Sequence, residues 1–189
     1  MMISRAKWWP FLAIALILTT TALVERWEGR SSWCGCGRHF LWVGDICSSL
    51  NSQTFLDPYS FTHVVHGFLF CGLVAWCIPR LSHTWRLCLT IFLEALWEIF
   101  ENSQFVIQRY RQETASLGYL GDTVANSLGD ILSCAVGFII ASRLGFRRTL
   151  VVLVATELVL LIWIKDSLFL EVLMLIHPVG AIKDWQMCR

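Results

Sequence analysis

Apolar residues fall along this chain in five long runs, parted by short polar or proline-bearing breaks and one long polar loop. The runs cover residues 8–24, 61–78, 85–101, 122–142 and 149–164. Each is close to the 17–25 residues that an α-helix needs to cross a bilayer. The pattern predicts an all-α fold: a polytopic helical membrane bundle of about five transmembrane helices. Residues 167–177 are apolar but too short to cross, and read as a C-terminal interfacial or re-entrant helix. Residues 25–60 form a polar outer loop that contains cysteines. Asp57-Pro58 before the second run reads as an N-cap followed by proline at the first helical position.

The first run could be a secretory signal, but it is long, and Thr20-Thr21-Ala22-Leu23-Val24 makes a poor small-residue cleavage site. It reads as an uncleaved anchor. Orientation follows from basic residues in short turns: Arg5 and Lys7 at the start, Arg80 and Arg86 after the second run, and Arg143, Arg147 and Arg148 after the fourth. Density in short loops is what the positive-inside rule weighs, so the N-terminus is expected in the cytoplasm of a bacterial inner (cell) membrane.

Composition supports this reading. Apolar residues make up 56% of the 189 positions and charged residues 15%, against roughly 45–50% and 25% in soluble domains. One compact membrane domain over residues 1–189 accommodates that length. A net charge of +1 leaves no case for nucleic acid, and membrane lipids are the expected partners. Of ten tryptophans, Trp8, Trp9, Trp85 and Trp163 stand at run ends, as an interfacial belt would place them.

The third run breaks the apolar pattern with Glu94, Glu98 and Glu101, spaced i, i+4, i+7 along one helical face. Two central acids cost about 5–7 kcal/mol on an insertion scale, and the apolar residues around them return only about 2–5. That face must therefore meet partners inside the bundle. The candidates are His63 and His66, one turn apart, and Asp122, Asn126 and Asp130 on the fourth run. Opposing run directions bring His63, His66, Glu98, Glu101, Asp122 and Asn126 to the outer end, with Glu94, Asp130 and Glu157 deeper. The first set is a candidate site, with His63 and His66 as ligands for a divalent metal and Glu98, Glu101, Asp122 and Asn126 as catalytic groups. Glu94, Asp130 and Glu157 form a candidate intramembrane relay. The bland alternatives are a helix cap for Asp122 and salt bridges from Glu98 and Glu101 to Arg109 and Arg111.

Of the eight cysteines, Cys71, Cys77, Cys88 and Cys134 lie within runs, while Cys34, Cys36, Cys47 and Cys188 lie outside them. An oxidising outer side favours a bridge, with Cys47 paired to Cys34 or Cys36, although spacing does not fix connectivity. A CxC metal site is the sharper alternative.

At Trp33-Cys34-Gly35-Cys36-Gly37, His63-Val64-Val65-His66-Gly67-Phe68, Glu94 through Arg109-Tyr110-Arg111, Ser116-Leu117, Gly121-Asp122, Asn126-Ser127 and Trp185-Gln186, the chain resembles an uncharacterised bacterial family of multi-pass membrane proteins. This is number zero-three-one-four in the uncharacterised-protein-family series. Gly118 and Asp57-Pro58-Tyr59 depart from its pattern. The resemblance implies a membrane location and brings no activity. The architecture is also loosely similar to VanZ-type small membrane proteins, which sets no function. Three classes follow from the residues: a membrane enzyme acting on a lipid or cell-envelope substrate, a proton- or ion-coupled transporter, and an assembly factor whose acids lock helices together.

Overall fold

The computed structural model of the protein describes residues 8–37, 40–116 and 118–188. Arg5, Lys7 and Leu117, used above, lie outside the described residues. Helices α1 (Trp9–Trp27), α2 (Ser60–Cys77), α3 (His83–Glu101), α5 (Val124–Leu144) and α6 (Phe146–Trp163) arise from the apolar runs. Short helices α4 (Gln104–Glu113), α7 (Leu168–Ile176) and α8 (Gly180–Gln186) complete the order, and no strand is present among the described residues. Three helices, α1, α2 and α5, are long and apolar enough to cross a membrane. α3 and α6 match them in length at 19 and 18 residues but carry more charge.

Helix α5 is the axis of the bundle. Ser60 at the start of α2 donates to Asp130 on α5, and Gly67 meets Gly137 about two turns further along both, so the two helices run parallel. The approach at these glycines is close. A Cβ on Gly67 would lie 2.7 Å from the Phe138 nitrogen and 2.9 Å from the Gly137 Cα. Small residues of this kind let helix backbones touch where apolar side chains gain nothing by leaving lipid. α3 runs antiparallel to both, packing Ile91 and Ala95 on Ile131 and Ala135, while Ile14, Ile17 and Leu18 of α1 cover that seam. α6 adds Val152 and Leu153 against Val65, Phe68 and Ala141. Its other face exposes Val151, Leu158, Val159 and Ile162, an apolar surface of the kind lipid covers.

The loop before α2 closes the end of the bundle where α5 begins. The first amides of α5 have no partners within the helix. Here the carbonyls of Ser52, Ser31 and Ser32 accept from Thr123, Val124 and Ala125. The expected cap at Asp57 is shifted. α2 starts at Ser60, and Asp57 instead accepts from the Ser52 and Tyr59 amides at 2.6 and 2.8 Å. Pro58 thus sits in the turn before the helix rather than at its first position. α1 extends to Trp27, three residues past the end of its apolar run, because Glu25 is buried against the bundle rather than facing water.

Candidate functional site

The Gly67–Gly137 contact sets the rotation of α2, and His63, one turn before Gly67, and His66, next to it, face α3. α3 presents Glu94 and Glu98, one turn apart and both fully buried. Because α2 and α3 are antiparallel, Glu94 comes level with the histidines. His63 Nδ1 lies 2.5 Å from Glu94 Oε1, and His66 Nδ1 lies 3.0 and 3.1 Å from the two oxygens of Glu94. One carboxylate therefore holds two imidazoles. His63 Nδ1 is also 3.3 Å from Glu98 Oε1, and His63 Nε2 is 3.9 Å from Asp130 Oδ2. The His63–Glu98 approach lacks hydrogen-bond alignment, so both Glu98 oxygens are buried without a hydrogen-bond partner. Among the described residues no lysine or arginine pairs with these acids. Two sets, His63/His66/Glu94 and His63/Glu98/Glu101, bring ligand atoms within 4.8 Å of one another.

Above this cluster is a cavity of about 150 Å³. His63, His66, Asn126 and Asp130 form part of its lining, with Trp97, Glu101, Tyr59, Tyr110, Tyr119, Asp122, Asp166 and Glu171 among its other walls. Ile46, Ser52, Gln186 and Cys188 bring the long loop and the C-terminal segment to its mouth. A Cys47–Cys188 disulfide ties those two segments together, and Cys34 is bonded to Cys36. This corrects the expected pairing of Cys47 with Cys34 or Cys36, whose mutual bond also occupies the thiols that a CxC metal site would need. Spacing was silent here because Cys188 is 141 residues from its partner.

The bland readings of the acids are not what the fold adopts. Thr123, not Asp122, caps α5 by accepting from the Asn126 amide. Asp122 accepts from Asn102 Nδ2 at 3.1 Å and from the Tyr119 hydroxyl at 3.0 Å. Glu101 accepts from the Tyr110 hydroxyl at 2.9 Å, while Arg109 donates to the Leu175 carbonyl and to Glu113, and Arg111 to the Tyr119 carbonyl. Of the three candidate relay acids, Glu94 and Asp130 belong to the histidine cluster. Glu157 stands apart from it in its bonding, accepting from the Leu168 and Phe169 amides at the first turn of α7.

Several groups at the site escaped the sequence reading: Trp97, whose ring stands edge-on to His66 at 5.8 Å, the three tyrosines, Asp166 and Glu171. Asp166 follows α6 and is half-buried. Its burial pushes its carboxyl up to about 6, although the Ser167 amide and the Tyr59 hydroxyl hold it down. Glu171 on α7 is raised by burial and by the neighbouring Asp166 and Glu101 charges. Glu25 at the end of α1 is also buried, both oxygens unpartnered.

A family described as "Protein of unknown function (DUF2585)" matches residues 25–188. A UPF0314 protein of Sphingopyxis alaskensis is 43% identical over 184 residues, 97% of this chain and 96% of that protein. A UPF0314 protein of Rhizobium meliloti is 44% identical, covering 96% of this chain and 92% of its own length. One from Paracoccus denitrificans is 41% identical, covering 94% and 92%. No solved structure matches.

Proposed function

The chain belongs to the UPF0314 (DUF2585) family, and we propose that it is a bacterial inner-membrane enzyme with a divalent-metal centre beneath a cavity open to the outer leaflet, acting on a lipid or cell-envelope substrate. α3 and α6 join the three more apolar helices as spans, giving five, with the N-terminus cytoplasmic. The bundle's geometry favours this orientation. The basic turns at Arg80 and at Arg143, Arg147 and Arg148 lie at the end opposite the cavity, since α2 and α5 run parallel away from it. Reporter fusions after Arg80 and after Arg148 should both read cytoplasmic, and an external signal at either point reverses the assignment.

The observation that carries the metal reading is the Glu98 carboxylate, buried and unpartnered beside two histidines and two further acids. A buried charge is held only when paired or bound to a cation. Imidazole and carboxylate together suit zinc, iron or manganese. A tetrahedral ion with ligand bonds near 2.0 Å spaces its ligand atoms by about 3.3 Å. The His66–Glu94 and His63–Glu98 separations of 3.0 and 3.3 Å are close to that. The 2.5 Å His63–Glu94 contact is too short for it, so His63 and Glu94 would have to part slightly to hold an ion together. His63, His66, Glu94 and Glu98 would hold the ion, which supplies Lewis-acid chemistry when bound. Glu101 and Asp122, each steadied by a tyrosine hydroxyl, are the cavity acids able to exchange a proton with a substrate.

Elemental analysis of detergent-purified protein, wild type beside His66→Ala and Glu98→Gln, tests this. Near-stoichiometric divalent metal in the wild type, lost from both variants, is the expected result. No metal after purification in metal-supplemented buffer would overturn it. The short His63–Glu94 contact favours one other reading, a proton-held lock between α2 and α3. In that case Glu98→Gln is tolerated, because a neutral amide keeps the volume and still hydrogen-bonds.

A further inference from the structure

The chain has only three tyrosines, and all three line the cavity, each with its hydroxyl on a carboxylate. Tyr119 donates to Asp122 at 3.0 Å, Tyr110 to Glu101 at 2.9 Å and Tyr59 to Asp166 at 3.4 Å. A tyrosine hydroxyl orients a carboxylate without neutralising it. Glu171 adds a fourth acid to the wall, and among the described residues no lysine or arginine lines the cavity. Wall acids and aromatic rings are the wrong surroundings for a bare anion. They suit a cation, which gains from the carboxylates by charge and from the ring faces by cation–π attraction.

Asn126 points independently to a ligand. Its side chain lines the same cavity and is almost completely buried, and its Nδ2 has no hydrogen-bond partner. A buried amide left without an acceptor carries a desolvation cost that a bound oxygen would remove. The occupant should therefore present both a positive group and an oxygen acceptor.

We propose that the cavity binds an ammonium group attached to an oxygen-bearing headgroup, with Asp166 and Glu171 receiving the cation and Asn126 donating to the neighbouring oxygen. This rests on the reading of the cavity as the substrate site, and assigns the substrate to amine-bearing headgroups rather than to purely anionic ones. The half-buried position of Asp166, with its carboxyl raised toward neutrality, fits an acid that lacks its counter-ion until a ligand arrives.

Binding of phosphoethanolamine and of glycerol 3-phosphate to the full-length purified protein is measured by titration calorimetry. In parallel, retained lipid is counted by native mass spectrometry after transfer to nanodiscs of mixed phosphatidylethanolamine and phosphatidylglycerol. Phosphoethanolamine should bind, and glycerol 3-phosphate at least about tenfold more weakly, as the loss of a charged hydrogen bond predicts. Asp166→Asn and Glu171→Gln should each remove roughly that factor, with metal content unchanged and no fall in melting temperature. Asn126→Leu should weaken phosphoethanolamine without restoring glycerol 3-phosphate. Retention of phosphatidylethanolamine over phosphatidylglycerol identifies a lipid headgroup, whereas soluble binding without lipid preference identifies a free amine of the envelope. Equal or tighter binding of glycerol 3-phosphate, or variants that bind phosphoethanolamine as the wild type does, overturns the inference. Metal content decides the centre beneath separately: a protein that binds metal but shows no amine preference fails here alone.

Discussion

Helices α3 and α6 are almost equal in length, and each carries carboxylate into a largely apolar segment, but they satisfy it in different ways. α3 turns Glu94 and Glu98 wholly inward, to the histidines of α2 and to Asp130 of α5. α6 keeps Glu157 half-buried at its side, where two backbone amides of α7 occupy both oxygens. An acid in an apolar helix is thus no single sign. Where it meets titratable side chains across a bundle it builds a centre, and where it meets the free amides of a helix start it serves as a cap from outside.

The largest effect expected from this contrast is at Glu94. Glu94→Ala leaves His63 and His66 facing each other without the carboxylate that holds both. Breaking a buried pair on one side costs about 3–5 kcal/mol. Unfolding of the detergent-solubilised protein should shift by that amount, and bound metal should be lost with it. A variant within about 1 kcal/mol of the wild type would mean that α2 and α3 do not depend on the acid, and the contrast with α6 would collapse.

The same contrast shows what the sequence made legible. The five long helices were readable because apolar length and polar breaks report on lipid, which acts on each segment separately. The i, i+4 acids and the one-turn histidine pair were readable for a similar reason, since helical spacing fixes which side chains share a face. Depth was less so. Glu94 read as lying below the histidines, but the antiparallel crossing of α2 and α3 puts it directly between them. α4 was missed because Gln104–Glu113 is short and mostly polar, and only tertiary contacts bury Val106 and Ile107 and fasten Arg109 to the Leu175 carbonyl. The tyrosine–carboxylate pairs join residues 9, 3 and 107 positions apart, a pattern with no common period.

Asp166, just beyond the end of α6, sharpens the comparison through pH. Tyr59 from the loop, Glu157 from α6, Glu171 from α7 and Gln186 from α8 surround it. Its carboxyl is raised from 3.8 to about 6 in the folded protein. A raised folded-state value means that the protonated form is the favoured one. Its contribution to stability is therefore fully present below about pH 4 and is lost as pH rises through 6. With allowance for solvent at this half-buried position the loss is on the order of 1 kcal/mol. Thermal melts between pH 4 and 8 should show the decline in the wild type and a flatter profile in Asp166→Asn. Identical slopes would show that Asp166 carries no proton of consequence.

The smallest expected effect tests the α6 side directly. Glu157 sits where the first amides of α7 lack helical partners, and its charge adds to the hydrogen bonds there because a helix start is electropositive. Glu157→Gln keeps an acceptor and removes the charge, so about 0.5–1 kcal/mol should be lost. Amide exchange at Leu168 and Phe169 should rise with it, since those are the two protons the carboxylate accepts. Metal content and phosphoethanolamine binding should not move, because the carboxylate is engaged with α7 and not with the histidines. If Glu157→Gln strips metal from the protein as Glu94→Ala does, then both helices feed one centre. The division between histidine-facing acids on α3 and a capping acid on α6 would then be wrong.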